Sequence, residues 1–434
     1  MLTVHCASSL EDLAEEREQL NAINHASRLP DPFSTFEFYE LYFQHDEFFR
    51  HGVDTELWFL TVREEGRIIG YLPLRRVRDR ALGIGCWKVE FFATHDNDRP
   101  HLVARPADEE RCRDAVFRWL HERRSQWSFL ELKQQPADSN LRKTRVFSAP
   151  RYHVRSFPNL ENGSIEVRWN TLRDWFGELS KKMRKNLGRQ FRALAAMGRL
   201  EHLASSDPAA TPLLFELYCT IEARSWKASA DAAISRSSRR VEFFRELLTP
   251  RSPMRVRIDL LLLDGVPVAG LLCGAFERRL YGLHTVFDNA YAQVGPGGSA
   301  LLFGMREAIE GGYLGFNLLS GFRYYKTRWQ AEVTRTEAVQ VFRVGRARFF
   351  QALLGGLRRS LLSDQEEDVD FNLARRESAR VIAPIAAGER ARIESLVAEL
   401  MQLGVLLEGP AELARALPFD IRRTRETSEL AAVS

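Results

Sequence analysis

An apolar, strand-like stretch, Leu280 to Phe287, runs into Asp288-Asn289-Ala290-Tyr291-Ala292-Gln293-Val294-Gly295-Pro296-Gly297-Gly298-Ser299 and then into a helical pattern. In that pattern Leu301, Leu302, Met305, Ala308 and Ile309 recur at helical spacing, and Gly311-Gly312 closes it. A strand that feeds a helix through so short a turn belongs to a layered fold. It also gathers backbone N–H groups and the positive end of a helix dipole at one spot, which is a ready anion site. Glycine lets a phosphate come close to such a backbone. The Walker A pattern is absent, and so is GxGxxG in a dinucleotide-binding setting, which argues against an ATPase and a Rossmann enzyme. A plain structural helix cap is the other reading of the same residues.

The rest of the chain alternates the two periods, which predicts an α/β or α+β architecture. Helices are expected at Leu10–Asn24, Phe36–Phe49, Glu109–Arg124, Leu172–Met197, Ala209–Ser225 and Val241–Leu248. Strands are expected at Trp58–Val62, Ile68–Leu74, Trp87–Ala93, Trp127–Lys133, Val256–Leu263, Val268–Phe276, Phe316–Leu319 and Ala338–Val344. Residues Pro136–Pro150 carry no clear period and read as a linker, and Ser229–Arg240 reads as a loop. With 434 residues there is material for two or three domains. Gly66-Arg67-Ile68-Ile69-Gly70-Tyr71-Leu72 is echoed by Gly265-Val266-Pro267-Val268-Ala269-Gly270-Leu271-Leu272, which points to two related domains in tandem. The expected boundaries are 1–150, 151–347 and a helical, acidic extension at 348–434.

Five cysteines, odd in number and with no CxxC pair, argue against a disulfide framework or a cysteine zinc site. The N-terminus has no apolar core of a signal peptide, and Leu260–Phe276 is broken by Asp264-Gly265 and Pro267, so no transmembrane segment is read and a cytoplasmic setting is expected. The segment Thr94-His95-Asp96-Asn97-Asp98-Arg99-Pro100-His101 matches no standard metal spacing; it reads better as an acceptor-lining loop, and no metal is expected.

Net charge is only +4, but its distribution is uneven. Lys181, Lys182, Arg184, Lys185, Arg189, Arg192 and Arg199 lie in one stretch without an acid, opposite an apolar stripe of Leu179, Met183, Leu187, Phe191 and Leu194. This is either a solvated face or a docking face for an anionic partner or a membrane surface. Asp364–Asp370 gathers acids instead. On the Leu280–Phe287 strand, His284 and Tyr281 are the titratable side chains, and His284 has the pKa range of a general base. Glu222 and Asp288 are further base candidates.

The order hairpin, strand, glycine-rich turn, helix, strand and aromatic-basic segment resembles the GNAT acyltransferase superfamily. The resemblance is nearest the CelD/BcsL-like branch associated with cellulose and exopolysaccharide biosynthesis, itself similar to the FemABX peptidyltransferases. It rests on Ser180-Lys181-Lys182-Met183-Arg184-Lys185-Asn186-Leu187, Arg224-Ser225-Trp226-Lys227, Tyr291 with Gly295-Pro296-Gly297, and Tyr325-Lys326-Thr327-Arg328-Trp329. It implies tandem GNAT-like domains, each a mixed central sheet flanked by helices. It implies acetyl-CoA or another acyl-CoA as co-substrate, held by Val294, Gly295, Gly297, Gly298 and Ser299. The turn departs from the usual Q/RxxGxG/A signature, because Pro296 falls where the first glycine would stand. Catalytic roles fall to His284, Glu222 and Tyr325, the last as acid towards the departing thiolate. An amine acceptor, a small molecule or a sugar, would meet Arg224, Trp226, Lys227, Lys326 and Arg328. Two other functions fit the same resemblance: a Fem-like transferase that uses aminoacyl-tRNA, and a non-catalytic scaffold.

Overall fold

The computed structural model describes residues 2–45, 55–93, 97–229, 233–320, 327–361 and 385–421. The chain divides into two compact units, one built mainly from residues up to 162 and the other mainly from 163–319.

The first unit holds an eight-stranded sheet. Its strands are β1 (Leu2–Ala7), β2 (Thr55–Glu64), β3 (Arg67–Ala81), β4 (Ile84–Phe91), β5 (Val103–Ala104), β6 (Phe129–Pro136), β7 (Tyr152–Pro158) and, from far downstream, β14 (Thr336–Arg343). The order is β1-β2-β3-β4-β6-β14-β7, with β5 beside β3. On one face α1 (Arg17–His25) and α2 (Phe36–His45) close a core around Phe59, Ile68, Tyr71 and Phe92. On the other, Val116, Phe117 and Leu120 of α3 (Glu109–Glu122) pack on Leu72, Leu74, Val89 and Leu130.

The second unit repeats this plan. Its sheet carries β8 (Asn162–Glu166), β9 (Leu200–Ser205), β10 (Arg255–Leu263), β11 (Val266–Phe276), β12 (Arg279–Phe287), β13 (Gly315–Asn317) and β15 (Leu407–Glu408). The order runs β8-β13-β12-β11-β10-β9-β15. Helices α4 (Leu172–Glu178), α5 (Lys181–Met197), α6 (Thr211–Ala223), α7 (Trp226–Ser229), α8 (Ser238–Leu247) and α9 (Pro296–Glu310) surround it. Its core joins Leu187, Phe191, Leu271, Leu302, Met305 and Phe316.

The repetition extends to register. In each unit three antiparallel pairings are followed by a single parallel one, β4 with β6 and β12 with β13. Both echoed hairpins turn on two residues with positive φ, Glu65 (51°) and Gly66 (83°) in one, Asp264 (50°) and Gly265 (77°) in the other. That backbone twist suits a right-twisted ribbon. Both then slip register at the third residue of the returning strand, so that Val62 faces Gly70 and Leu261 faces Ala269. A tandem repeat of one topology is thus visible in the pairing itself.

Several expectations need correction. Leu172–Met197 is two helices. Leu179 turns extended at ψ 149°, and the Ser180 hydroxyl caps the second helix by accepting the Met183 N–H. Pro136–Pro150 is not a linker: Leu141 and Phe147 are buried in the first unit's core. The strand expected at Ala338–Val344 to end the second domain pairs instead with β6 and β7 of the first unit, where Val339 and Val341 are buried. The extension is divided as well. Helix α10 (Ala347–Leu361) lies with the first unit, whereas α11 (Ala387–Gln402) and α12 (Pro410–Ala416) lie with the second. The acidic run Asp364–Asp370 lies outside the described residues.

Candidate active site

The glycine-rich turn connects β12 to α9 through a short 3-10 helix, Asn289–Val294. Asp288 starts that helix by accepting the Ala290 N–H at 2.9 Å, and it ion-pairs with Arg224 at 2.7 Å. The turn residue Gly295 is left-handed, φ 68° and ψ 47°, and a Cβ there would lie 2.4 Å from Gln190 Nε2. Gln190, on α5, also flanks Gly298. The donor inventory is smaller than a free helix end would offer. Pro296 has no N–H, Gly295 donates to Ala292 at 3.2 Å, and Gly298 donates to Gly295 at 3.1 Å. The Gly297 amide makes no such bond among the described residues. No acid stands in the first turn of α9. Ser299 is fully buried, and its hydroxyl has no partner among the described residues.

The equivalent helix of the first unit is built the opposite way. Helix α3 opens on Asp108, Glu109 and Glu110, and residues 92–108 contain no glycine. Acids at a helix N-terminus occupy the place where an anion would gain most. Only the second unit therefore presents an anion-receptive turn at this position of the fold.

The strand that enters the turn carries the other half of the site. His284 of β12 is buried against α6 and α8, with ring contacts to Tyr218 and Phe244. Its Nδ1 lies 2.7 Å from the Tyr218 hydroxyl and 3.7 Å from Glu222 Oε1. Its Nε2 lies 2.9 Å from Lys227 Nζ. A lysine ammonium can only donate, and Nζ also stands 3.3 Å from Nδ1; with the nearer Nε2 as acceptor, Nδ1 carries the proton towards Tyr218. Glu222 is fully buried; its Oε2 accepts the Ser235 N–H at 2.9 Å, while Oε1 is left without a hydrogen bond. Burial, with the Glu222 carboxylate next, pushes the Tyr218 hydroxyl well above its usual range. Lys227 is the least buried member of the four.

Beside this cluster the sheet opens. The parallel pairing of β12 with β13 covers only Arg279–Tyr281 against Gly315–Asn317, so the rest of β12 up to Phe287 has no partner in β13. A bulge at Leu283 sits at the point of divergence, since Leu272 faces His284 and Cys273 faces Gly282.

The structure gathers His284, Glu222 and Lys227, which the sequence offered separately, and adds Tyr218 and Gln190, which it did not. Tyr218 lies one helical turn before Glu222, so its place on the same face was readable from spacing. Arg224 is committed inward, to Asp288, to Glu389 at 2.6 Å and to the Pro267 carbonyl at 3.1 Å, and so ties α6 to the turn and to α11. Trp226 is half-buried, and its N–H bonds Asn289 Oδ1 at 3.0 Å. Arg328 is exposed, while Tyr325 and Lys326 lie outside the described residues. Cys273 is buried, and burial raises its thiol well above the usual range, which suits packing rather than attack. Of the Thr94–His101 segment, residues 94–96 lie outside the described residues; His101 lines an open pocket in the first unit, together with Arg28, Glu109 and Asn140. Among the described residues no group of three His, Cys, Asp or Glu side chains is placed to hold a metal.

The family described as acetyltransferase (GNAT) domain matches residues 181–327. The matched stretch takes in α5, the His284 cluster and the glycine turn. No curated protein matches the chain. Among solved structures, FemX matches at TM-score 0.50 and 10% identity, over 74% of this chain and 95% of that one. A tandem GNAT protein from the clavulanic acid biosynthesis pathway matches at TM-score 0.43 and 13% identity, over 80% of this chain and 99% of that one. A domain of a putative lysylphosphatidylglycerol synthetase from Agrobacterium fabrum matches at TM-score 0.45 and 13% identity, over 80% and 96%. At such identities the likeness is one of fold.

Proposed function

We propose that the chain is an acyl-CoA-dependent N-acyltransferase, moving an acetyl or longer acyl group from a CoA thioester to the amine of a small-molecule or sugar acceptor. The observation that carries this reading is one strand, β12, that holds His284 in a polar cluster and then enters an acid-free glycine turn. An amino sugar is the acceptor we favour, from the resemblance to the exopolysaccharide-associated branch. The first unit would serve acceptor binding and structure.

In this reading the donor's pyrophosphate lies against the Gly297 amide and the start of α9, with Gln190 alongside. The thioester lies where β12 leaves β13, and a backbone N–H of that edge polarises its carbonyl. The acceptor amine arrives on the α6–α7 side, where Lys227 Nζ already stands 2.9 Å from Nε2. Lys227 moves aside, and Nε2 takes the amine's proton as the tetrahedral intermediate forms. Tyr218 and Glu222 face Nδ1 and stabilise the imidazolium, so both act by positioning and charge. The C–N bond forms, the C–S bond breaks, and the thiolate takes a proton from Tyr325, whose role rests on the sequence resemblance.

A second reading is favoured by one observation: Lys181, Lys182, Lys185 and Arg189 form no ion pair among the described residues. A Fem-like transferase would use that face for aminoacyl-tRNA. Calorimetry with acetyl-CoA, longer acyl-CoAs and tRNA separates the cases. CoA thioester binding supports the main reading, and salt-sensitive tRNA binding without it supports the second. Binding of neither leaves a scaffold and ends both. If CoA binds, His284→Ala should lower kcat by about 10²-fold or more with little change in donor Kd. An unchanged kcat would remove His284 from the chemistry.

A further inference from the structure

Over the part of helix α10 whose side chains are described, 347–354, large apolar side chains face outward. Its inward contacts are polar and aromatic. Arg348 pairs with Asp79 of β3 at 2.8 Å and lies over the Phe129 ring at 5.4 Å, and Phe349 meets the His153 ring at 5.8 Å. Its outward row is apolar: Phe350, Leu353 and Leu354 are 48%, 42% and 56% exposed. Their spacing, i, i+3 and i+4, makes one stripe rather than scattered residues.

A second element adds to this stripe. The Arg348–Asp79 pair fixes the start of α10 against the end of the β3–β4 hairpin. At that hairpin's tip Leu82 and Ile84 are 52% and 61% exposed. Leu82 stands at φ 51°, which keeps the tip a tight turn. Isolated exposed leucines are ordinary, but five large apolar side chains on two adjoining elements of one unit are not.

Among the described residues beside them, the exposed charges are arginines. Arg78 and Arg80 on the hairpin and Arg346 before α10 are exposed. Asp79, the acid among them, is taken by Arg348. From Val344 to Ser363 the sequence holds no acidic residue. Apolar side chains ringed by exposed arginines suit an interface that is greasy inside and negative at its rim. An anionic lipid headgroup layer has that structure, with acyl chains below phosphates. A second copy of this chain would set arginine against arginine.

We propose that α10 and the β3–β4 hairpin tip form a docking surface for an anionic lipid membrane. Phe350, Leu353, Leu354, Leu82 and Ile84 enter the headgroup region, and the arginines pair with lipid phosphates. The protein attaches to the surface without spanning it; among the described residues no helix is long and apolar enough to cross a membrane. This holds whatever reaction the second unit performs.

Vesicle sedimentation with the full chain tests it. Phosphatidylcholine vesicles with about one-third phosphatidylglycerol should bind at least about tenfold more protein than pure phosphatidylcholine vesicles, and salt should weaken the binding. Phe350→Glu with Leu354→Glu should abolish it. Ile84→Glu, on a separate element, should weaken it while circular dichroism stays native. Equal binding to neutral vesicles, or unchanged binding of the variants, overturns the proposal. So does a concentration-dependent dimer in sedimentation velocity that the same substitutions dissociate.

Discussion

Gly295→Ala probes the turn on which donor binding depends. The residue stands at φ 68° and ψ 47°, where a Cβ costs about 1–2 kcal/mol. The added carbon would also lie 2.4 Å from Gln190 Nε2, which must rotate out of its place. Driving that side chain off its rotamer adds about 1 kcal/mol. The single variant should thus lose roughly 2–3 kcal/mol of local stability. Gln190→Ala removes the obstructing group and leaves only the backbone term, so the double variant should recover about 1 kcal/mol. Hydrogen–deuterium exchange across Asn289–Glu310 reads this locally, which avoids the assumption that a two-unit chain unfolds in one step. Acetyl-CoA titration of the same variants reads the site, and Gly295→Ala should weaken binding further than its stability loss implies. Strict additivity of the two substitutions would refute the contact between α5 and the turn. Unchanged exchange in the single variant would refute the left-handed turn.

Two more outcomes follow from buried ionisable groups. Burial pushes the Asp31 carboxyl up to about 7 from an ordinary 3.8, while the Ser34 hydroxyl hydrogen-bonded to it pulls the other way. A raised folded pKa contributes stability that is full below about pH 4 and is lost as pH climbs through 7. Asp31→Asn should therefore leave the melting temperature unchanged at pH 4 and raise it by several degrees at pH 8, and an equal shift at both would refute the assignment. The second concerns the buried His202, which is stacked 3.7 Å from the Phe303 ring. Its ring nitrogens meet Asp259 at 2.9 Å and Glu408 at 2.7 Å. Both carboxyls fall to about 2 despite partial or full burial, Asp259 through Arg257 and His202, Glu408 through His202 and Arg306. A depressed pKa contributes stability that is present above about pH 4.5 and is lost as pH falls through 2. Glu408→Gln should cost about 1–3 kcal/mol at pH 7 and speed exchange at Leu407 and Glu408, and the difference from wild type should fade as pH falls through 2 and vanish below it. A difference that persists there would refute it.

Much of the second unit was legible because its signals are local. Strands β10–β12 announce themselves by β-branched and leucine runs between two-residue turns, and α9 by its apolar spacing after the glycines. The break at Leu179–Ser180 was not, because the apolar stripe continues through it and only the Ser180 cap marks the new start. Leu141 and Phe147 were missed for a similar reason: two anchors in a polar stretch have no period, yet both are buried. Pairing of Thr336–Arg343 with Phe129–Pro136 spans about two hundred residues, and no local pattern carries such a partner choice. In the site, residue types pointed to His284, Glu222 and Lys227 singly. Their meeting depends on α6 crossing β12, which is tertiary. Gln190 is a neutral residue within the cationic helix α5, and nothing in its own spacing sets it apart.

That distant strand also sets a schedule for biosynthesis. A ribosome releases β6 long before β14, its neighbour in the finished sheet, and β7 pairs with β14 in turn. At about 5–20 residues per second, the open edge of Phe129–Pro136 waits roughly 10 to 40 s for its partner. Throughout that interval the nascent chain carries a row of unpaired peptide groups, the kind of edge that recruits strands from other molecules. The second unit can close its own hairpins meanwhile, so the half made first is finished last. Chaperone demand, and the harm done by a premature stop, should fall on the stretch of translation between residues 136 and 343.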